Sequence, residues 1–123
     1  MSRYVFRVRF RPEPDRGFRI EPATFETTLS KEAAPPGEEG WLFFRDTLWR
    51  GEANAPEHLR SLAEEALSVP VEAVDYRRFE TTDEEYAALK EAIAADLDLF
   101  NATAGSEVLN KYFGSSIEVE PDG

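Results

Sequence analysis

Cysteine is missing from this chain of 123 residues, which excludes disulfides, thiolate metal sites and a cysteine nucleophile. Long apolar runs are missing as well. The longest are four residues, Trp41 to Phe44 among them, and fall far short of the roughly 20 residues that a membrane-spanning helix needs. The alternating residues that follow Met1 do not read as a signal-peptide core. There is one histidine, His58, so a zinc site would have a single nitrogen ligand. Gly37 and Gly40 flank glutamates with no lysine after them, which is not a phosphate-cradling loop. Neither a cofactor nor a metal is expected.

Lysine is scarce. Only Lys31, Lys90 and Lys111 stand among 14 basic residues, against 25 acidic ones, for a formal charge of −11. Acidity together with lysine scarcity points to a salt-rich cytoplasm. At 1 M salt the Debye length is about 3 Å, so crowded carboxylates scarcely repel one another. In dilute buffer the same charges would work against the compact state. The charge is also uneven: Arg3, Arg7, Arg9, Arg11, Arg16 and Arg19 face only Glu13 and Asp15 within the first twenty residues, leaving the remainder strongly acidic.

What is present suffices to fold. Hydrophobic residues make up 41% and aromatics 12% of the chain, too much for a disordered segment, and the length fits one domain over residues 1–123. Tyr4, Phe6, Val8 and Phe10 alternate with Val5, Arg7, Arg9 and Arg11, the pattern of a half-buried strand. A turn follows at Pro12 to Gly17, then the start of a strand at Phe18 to Ile20, which Pro22 interrupts. Alternation resumes at Ala23, Phe25, Thr27 and Leu29. Residues 30–40 read as a mobile surface loop. Trp41 to Arg50 is apolar on both parities at its start, which suits a strand covered on two sides. Asn54, Pro56 and Glu57 form an N-cap signature before a helix with Leu59, Leu62, Ala63, Ala66 and Leu67 on one face. Val71 to Phe79 reads as a strand. Thr82 and Glu85 form a second capping box, ahead of a helical face running from Tyr86 to Phe100. A helix from Ser106 to Gly114, a strand from Ser116 to Glu120 and a frayed tail at 121–123 complete the chain. The order predicts a two-layer α+β domain: a mixed five-stranded sheet with its helices mostly on one face and some parallel pairing.

The segment Phe44 to Glu52, with Leu48-Trp49-Arg50 at its centre, resembles the small haloarchaeal LWR-salt proteins. Ala94 to Phe100 and Gly114 to Ile117 are similar to that family too. The resemblance implies a haloarchaeal source and transfers no catalytic or binding residue to this chain.

No catalytic constellation emerges. His58 stands in the first turn of a helix without a nucleophile or an orienting acid in a recognisable order. Glu64-Glu65, Glu84-Glu85 and Asp96/Asp98 are the carboxylate pairs of an acidic surface, without the spacing of a calcium loop. Two surfaces remain. Arg45, Asp46 and Arg50 can form cross-strand ion pairs with Trp49 filling core; alternatively, Trp49, Arg50 and Arg45 form an exposed patch that binds a protein partner. Arg7, Arg9 and Arg11 would line the sheet face away from the helices, paired with acids such as Glu21 or Glu26, or else gripping RNA. The first expectation is thus a non-enzymatic, cytoplasmic protein-binding module, and the alternative an RNA-binding accessory protein. The oligomeric state stays open.

Overall fold

A computed structural model describes residues 2–11 and 25–120. The expected turn at 12–17, the strand at 18–20, Glu21 and the tail at 121–123 lie outside them. Strand β1 (Arg3–Phe10) pairs antiparallel with β2 (Phe25–Glu32), in a register that sets Arg3 opposite Glu32 and Phe10 opposite Phe25. Residues 33–42 are irregular, with turns from 36 onward, and are tied to the residue before β1 by the Ala33 N–H donating to the Ser2 carbonyl at 2.9 Å. A five-residue helix, α1 (Phe43–Thr47), leads into a two-residue strand β3 (Leu48–Trp49), which pairs with β4 (Glu52–Ala53). Helix α2 (Pro56–Leu67) precedes β5 (Val71–Thr82), which lies antiparallel along the other edge of β1. Helix α3 (Asp83–Ala95), a 3-10 turn (Leu97–Phe100) and helix α4 (Gly105–Phe113) then cross over to β6 (Ile117–Glu120), parallel to β5.

The architecture is α+β and the sheet is mixed, but among the described residues it has four strands, in the order β2-β1-β5-β6, and not five. The expected strand at 41–50 accounts for the difference. Its Trp41, Phe44 and Leu48 recur at helical spacing. An apolar run this short does not distinguish a buried strand from one helical turn. Packing decides it: Phe44 stacks on Phe113 at 4.9 Å and on Phe100 at 5.7 Å, and meets Trp41 and Tyr112 edge-on. Thr47 turns its hydroxyl back onto the Phe43 carbonyl one turn earlier. Only Leu48 and Trp49 remain extended, in a separate hairpin.

Strand β5 carries two irregularities against β1, so Tyr76 and Phe79 both face the core although they are three positions apart. Each bulge inserts one residue, Glu72 or Arg77, and restores the apolar parity. At the end of β5 the Thr82 hydroxyl accepts the Glu85 N–H at 3.2 Å, so the expected N-cap is present. The cap expected at Asn54 is absent. Ala55 caps α2 without a side-chain bond, and the Asn54 amide donates instead to the Asp46 carbonyl at 3.2 Å. Helix α3 stops at Ala95 and does not run on to Phe100. The tighter 3-10 turn keeps Leu97 and Phe100 on one side while Leu99 emerges, 44% exposed. Leu59 and Ala63 are the residues of α2 that reach the core fully, and Leu62 is left exposed.

Candidate functional site

Two-residue hairpins favour turns with positive φ at both central positions, usually Asn-Gly. Here the pair is Arg50 (φ 53) and Gly51 (φ 84). A left-handed arginine costs about 1 kcal/mol relative to asparagine or glycine, so the surroundings must hold it there. They do so through the last turn of α4. The Arg50 N–H donates to the Lys111 carbonyl at 2.8 Å and the Gly51 N–H to the Tyr112 carbonyl at 2.9 Å. Two carbonyls that the helix end would leave open are thereby satisfied. Backbone meets backbone at this junction: a Cβ on Gly51 would sit 2.8 Å from the Phe113 carbonyl oxygen, and one on Gly114 2.8 Å from that of Arg50.

The triplet is therefore divided by its own geometry. Leu48 is fully buried, Arg50 forms the turn, and Trp49 between them is 45% exposed and does not fill core. Its ring meets Tyr112 edge-on at 6.1 Å. Two cations flank it, the Arg50 guanidinium and the Lys111 ammonium, each 5.8 Å from the ring centroid. Lys111 is held in place by donating to the Phe100 carbonyl at 3.0 Å. Among the described residues neither cation forms a salt bridge, although the Lys111 charge helps to hold down the pKa of Glu107, one turn earlier on α4, and Glu52 lies across the hairpin from Trp49. Arg45 and Asp46 do not pair across strands. They pair with each other at 3.0 Å on α1, and Arg45 reaches the Leu99 carbonyl at 3.3 Å. Arg45, Leu99, Lys111, Trp49 and Arg50 thus form one connected surface. Lys111 and Tyr112 could not be anticipated from the sequence, because a helix C-terminus far along the chain supplies them; their apolar-helix pattern carried no hint of it.

The opposite surface is the sheet face away from the helices. Arg7, Arg9 and Arg11 lie there as expected, and each meets an acid on a neighbouring strand: Asp75 at 3.9 Å, Glu26 at 3.6 Å and Glu72 at 2.7 Å. Register places Thr28, Ser30, Glu32, Asp75, Arg78, Glu80, Glu118 and Glu120 around them. No aromatic ring stands among those positions. At the centre is Glu80, 9% exposed, a residue that nothing in the local sequence singles out. Arg78 Nε donates to one carboxylate oxygen at 2.7 Å and Arg3 Nε to the other at 2.5 Å. These two hydrogen bonds, that of Arg78 first, hold the Glu80 carboxyl below the usual carboxylate range against the effect of burial.

A depressed pKa means that the stabilisation is present above the unfolded carboxylate's range and disappears as pH falls through the folded value. Glu80→Gln keeps the shape, but its single amide oxygen can accept from one arginine only, and its NH2 then faces the other guanidinium. It is expected to cost about 2 kcal/mol near neutrality and to flatten the fall in stability as the pH drops through and below the unfolded carboxylate's range. Urea midpoints across that range check both effects. The other arginine pairs are exposed and contribute little.

His58 is exposed in the first turn of α2. Among the described residues no three metal-ligating side chains gather, and no helix is long and apolar enough to cross a membrane. A family model described as LWR-salt protein matches residues 1–123. No curated protein and no solved structure matches the chain.

Proposed function

The chain belongs to the LWR-salt protein family, and from that premise we propose a small, salt-adapted, non-enzymatic module that binds an acidic segment of a partner protein in a haloarchaeal cytoplasm. The observation that carries this reading is Trp49, a large aromatic ring left exposed between Arg50 and Lys111. Tryptophan and arginine dominate the energetics of protein interfaces. On a molecule of charge −11, a shelf whose two cations form no salt bridge among the described residues is complementary to a carboxylate-bearing partner. The medium is supported by the surface: apart from Glu80 and Glu85, every carboxylate among the described residues is exposed. In molar salt long-range attraction is screened, so affinity rests on ring contact and short hydrogen bonds, which Trp49 and Arg50 supply.

The RNA reading has less behind it. Its arginines already face carboxylates, and single-stranded RNA is gripped largely by stacking on aromatic rings, which that face does not offer at the described positions.

Capture of partners in molar KCl from a lysate of the native host, with and without nuclease, tests the proposal. The expected partner survives nuclease and is lost at least about thirtyfold with Trp49→Ala, a hot-spot effect of about 2 kcal/mol. Arg50→Asn is the sharper probe, because asparagine accepts the left-handed turn while removing the cation. It is expected to leave the thermal midpoint unchanged or raised and still to weaken capture. Loss of the partner on nuclease treatment, or capture by both variants equal to that by the parent, overturns the reading.

A further inference from the structure

Strand β2 is an edge of the sheet, and among the described residues no strand pairs with its outer side. Natural edges are blunted by shortness, proline or a bulge. The other edge, β6, has only four residues. Strand β2 has eight, contains no proline and runs in unbroken register with β1. One bond shows which of its backbone groups face outward. Ser2 and Ala33 continue the β1–β2 register by one step, and the Ala33 N–H donates to the Ser2 carbonyl. Hydrogen-bonded pairs alternate along an antiparallel ladder. Leu29 and the other odd-numbered residues of β2 therefore turn their backbone to β1, and Glu26, Thr28, Ser30 and Glu32 turn theirs outward.

Beside this edge, on the helix side of the sheet, the surface is apolar. A groove of about 280 Å³ runs between β2 and α2, with Leu29, Phe43, Leu62 and Ala66 in its walls. Leu62 and Ala66 are exposed. Glu65, three residues after Leu62, stands on the same flank of α2. On the strand side, the Lys31 ammonium lies over the Phe43 ring at 5.2 Å. Among the described residues neither Lys31 nor Glu65 forms a salt bridge.

We propose that the chain associates with a second copy of itself through β2, joining two four-stranded sheets into one. A two-fold axis perpendicular to the sheet sets the edges antiparallel and keeps both helical layers on one side. Leu29 sits on that axis against its own copy, in a non-hydrogen-bonded pair where side chains come closest. Thr28 then exchanges bonds with Ser30 of the second copy, and Glu26 with Glu32. Lys31 falls opposite Thr27 of the second copy. Helix α2 leads directly into β5, which runs parallel to β2, so α2 runs against β2. Lys31 lies beside the start of α2, where it shares a hollow with His58; Thr27 lies beside its second half. Each Lys31 is thereby brought to the Glu65 flank of the other copy, a pairing of charges that a single copy keeps about two turns apart.

Repulsion sets the conditions. Two bodies of charge −11 approach, and Glu26 faces Glu32 at each end of the seam. Arg9 offsets part of this, 3.6 Å from Glu26. Strong salt screens the remainder, so association tightens as KCl rises.

Sedimentation equilibrium and amide exchange on the full chain test the proposal. The chain is expected to be half dimeric near about 50 µM in molar KCl and to associate about tenfold more weakly at about 0.2 M. At the roughly 1 µM of an unfolding titration it is monomeric, and the contact adds nothing to stability there. Dimerisation slows exchange at Glu26, Thr28, Ser30 and Glu32 and leaves β6 unchanged. Thr28→Pro removes an outward donor and no bond to β1; it is expected to abolish the dimer and keep the thermal midpoint. Leu62→Ala weakens association about tenfold. Lys31→Glu and Glu65→Lys each weaken it about fivefold, and combined they restore it. A monomer up to about 1 mM in molar KCl, a dimer that Thr28→Pro leaves intact, or additive losses at Lys31 and Glu65 overturns the proposal. Slowed exchange at the four amides only after host lysate is added assigns the edge to a different protein and also overturns it. Should Thr28→Pro fail to fold, the exchange pattern and the charge swap decide the question.

Discussion

Phe44→Ala is expected to lower the unfolding free energy by about 4 kcal/mol, in the middle of the range of roughly 3–5 kcal/mol typical of buried phenylalanines. The side chain is 1% exposed and meets Trp41, Phe100, Tyr112 and Phe113. These neighbours come from three separate elements, so no single shift can close the cavity left behind. A typical domain has only about 5–15 kcal/mol to lose. Urea titration in molar KCl measures the effect, with Leu62→Ala on the exposed side of α2 as the control, expected within about 0.5 kcal/mol of the parent. A loss at Phe44 no larger than that at Leu62 would mean that Phe44 is not packed among these four rings as described.

Gly51→Ala is expected to cost about 3 kcal/mol, of which about 1–2 is the left-handed backbone. The rest is the contact between the new methyl and the Phe113 carbonyl. Because that oxygen belongs to backbone, relief requires the hairpin to lift from α4, breaking the bonds from Arg50 and Gly51 to Lys111 and Tyr112. Gly37→Ala separates the two contributions. Gly37 has φ 87, and a methyl added there would meet nothing within 4 Å, so this variant is expected to show the conformational cost alone. Equal midpoints for the two variants would remove the claim that the hairpin is clamped to α4. If the clamp is real, Gly51→Ala also loosens the surroundings of Trp49, visible as a weaker near-ultraviolet circular dichroism signal.

Much of this fold was legible residue by residue. The alternation from Tyr4 to Phe10 placed one face of β1 in the core, and Thr82 marked the start of α3, because both are local patterns of side-chain chemistry. Glu26 was legible as a partner for the β1 arginines, and Arg9 meets it at 3.6 Å. Asp75, Glu72 and Glu80 were not. Naming them requires the strand order and the two bulges of β5, which depend on contacts far apart in sequence. Trp41 to Arg50 misled for a related reason: a short apolar-rich stretch satisfies a buried strand and a helical turn about equally.

Composition alone determined the absence of thiol chemistry and the strong negative charge; local patterning determined the α+β class and the ends of several elements. Each follows from residue identity or from neighbours within a few positions. The exposure of Trp49, the left-handed Arg50 and the clamping of Glu80 between two arginines were decided by tertiary structure. Each depends on bringing residues from distant elements together, here the hairpin onto α4, and β1 and β5 side by side. Burial and pairing are properties of such encounters, and no single stretch of chain contains them.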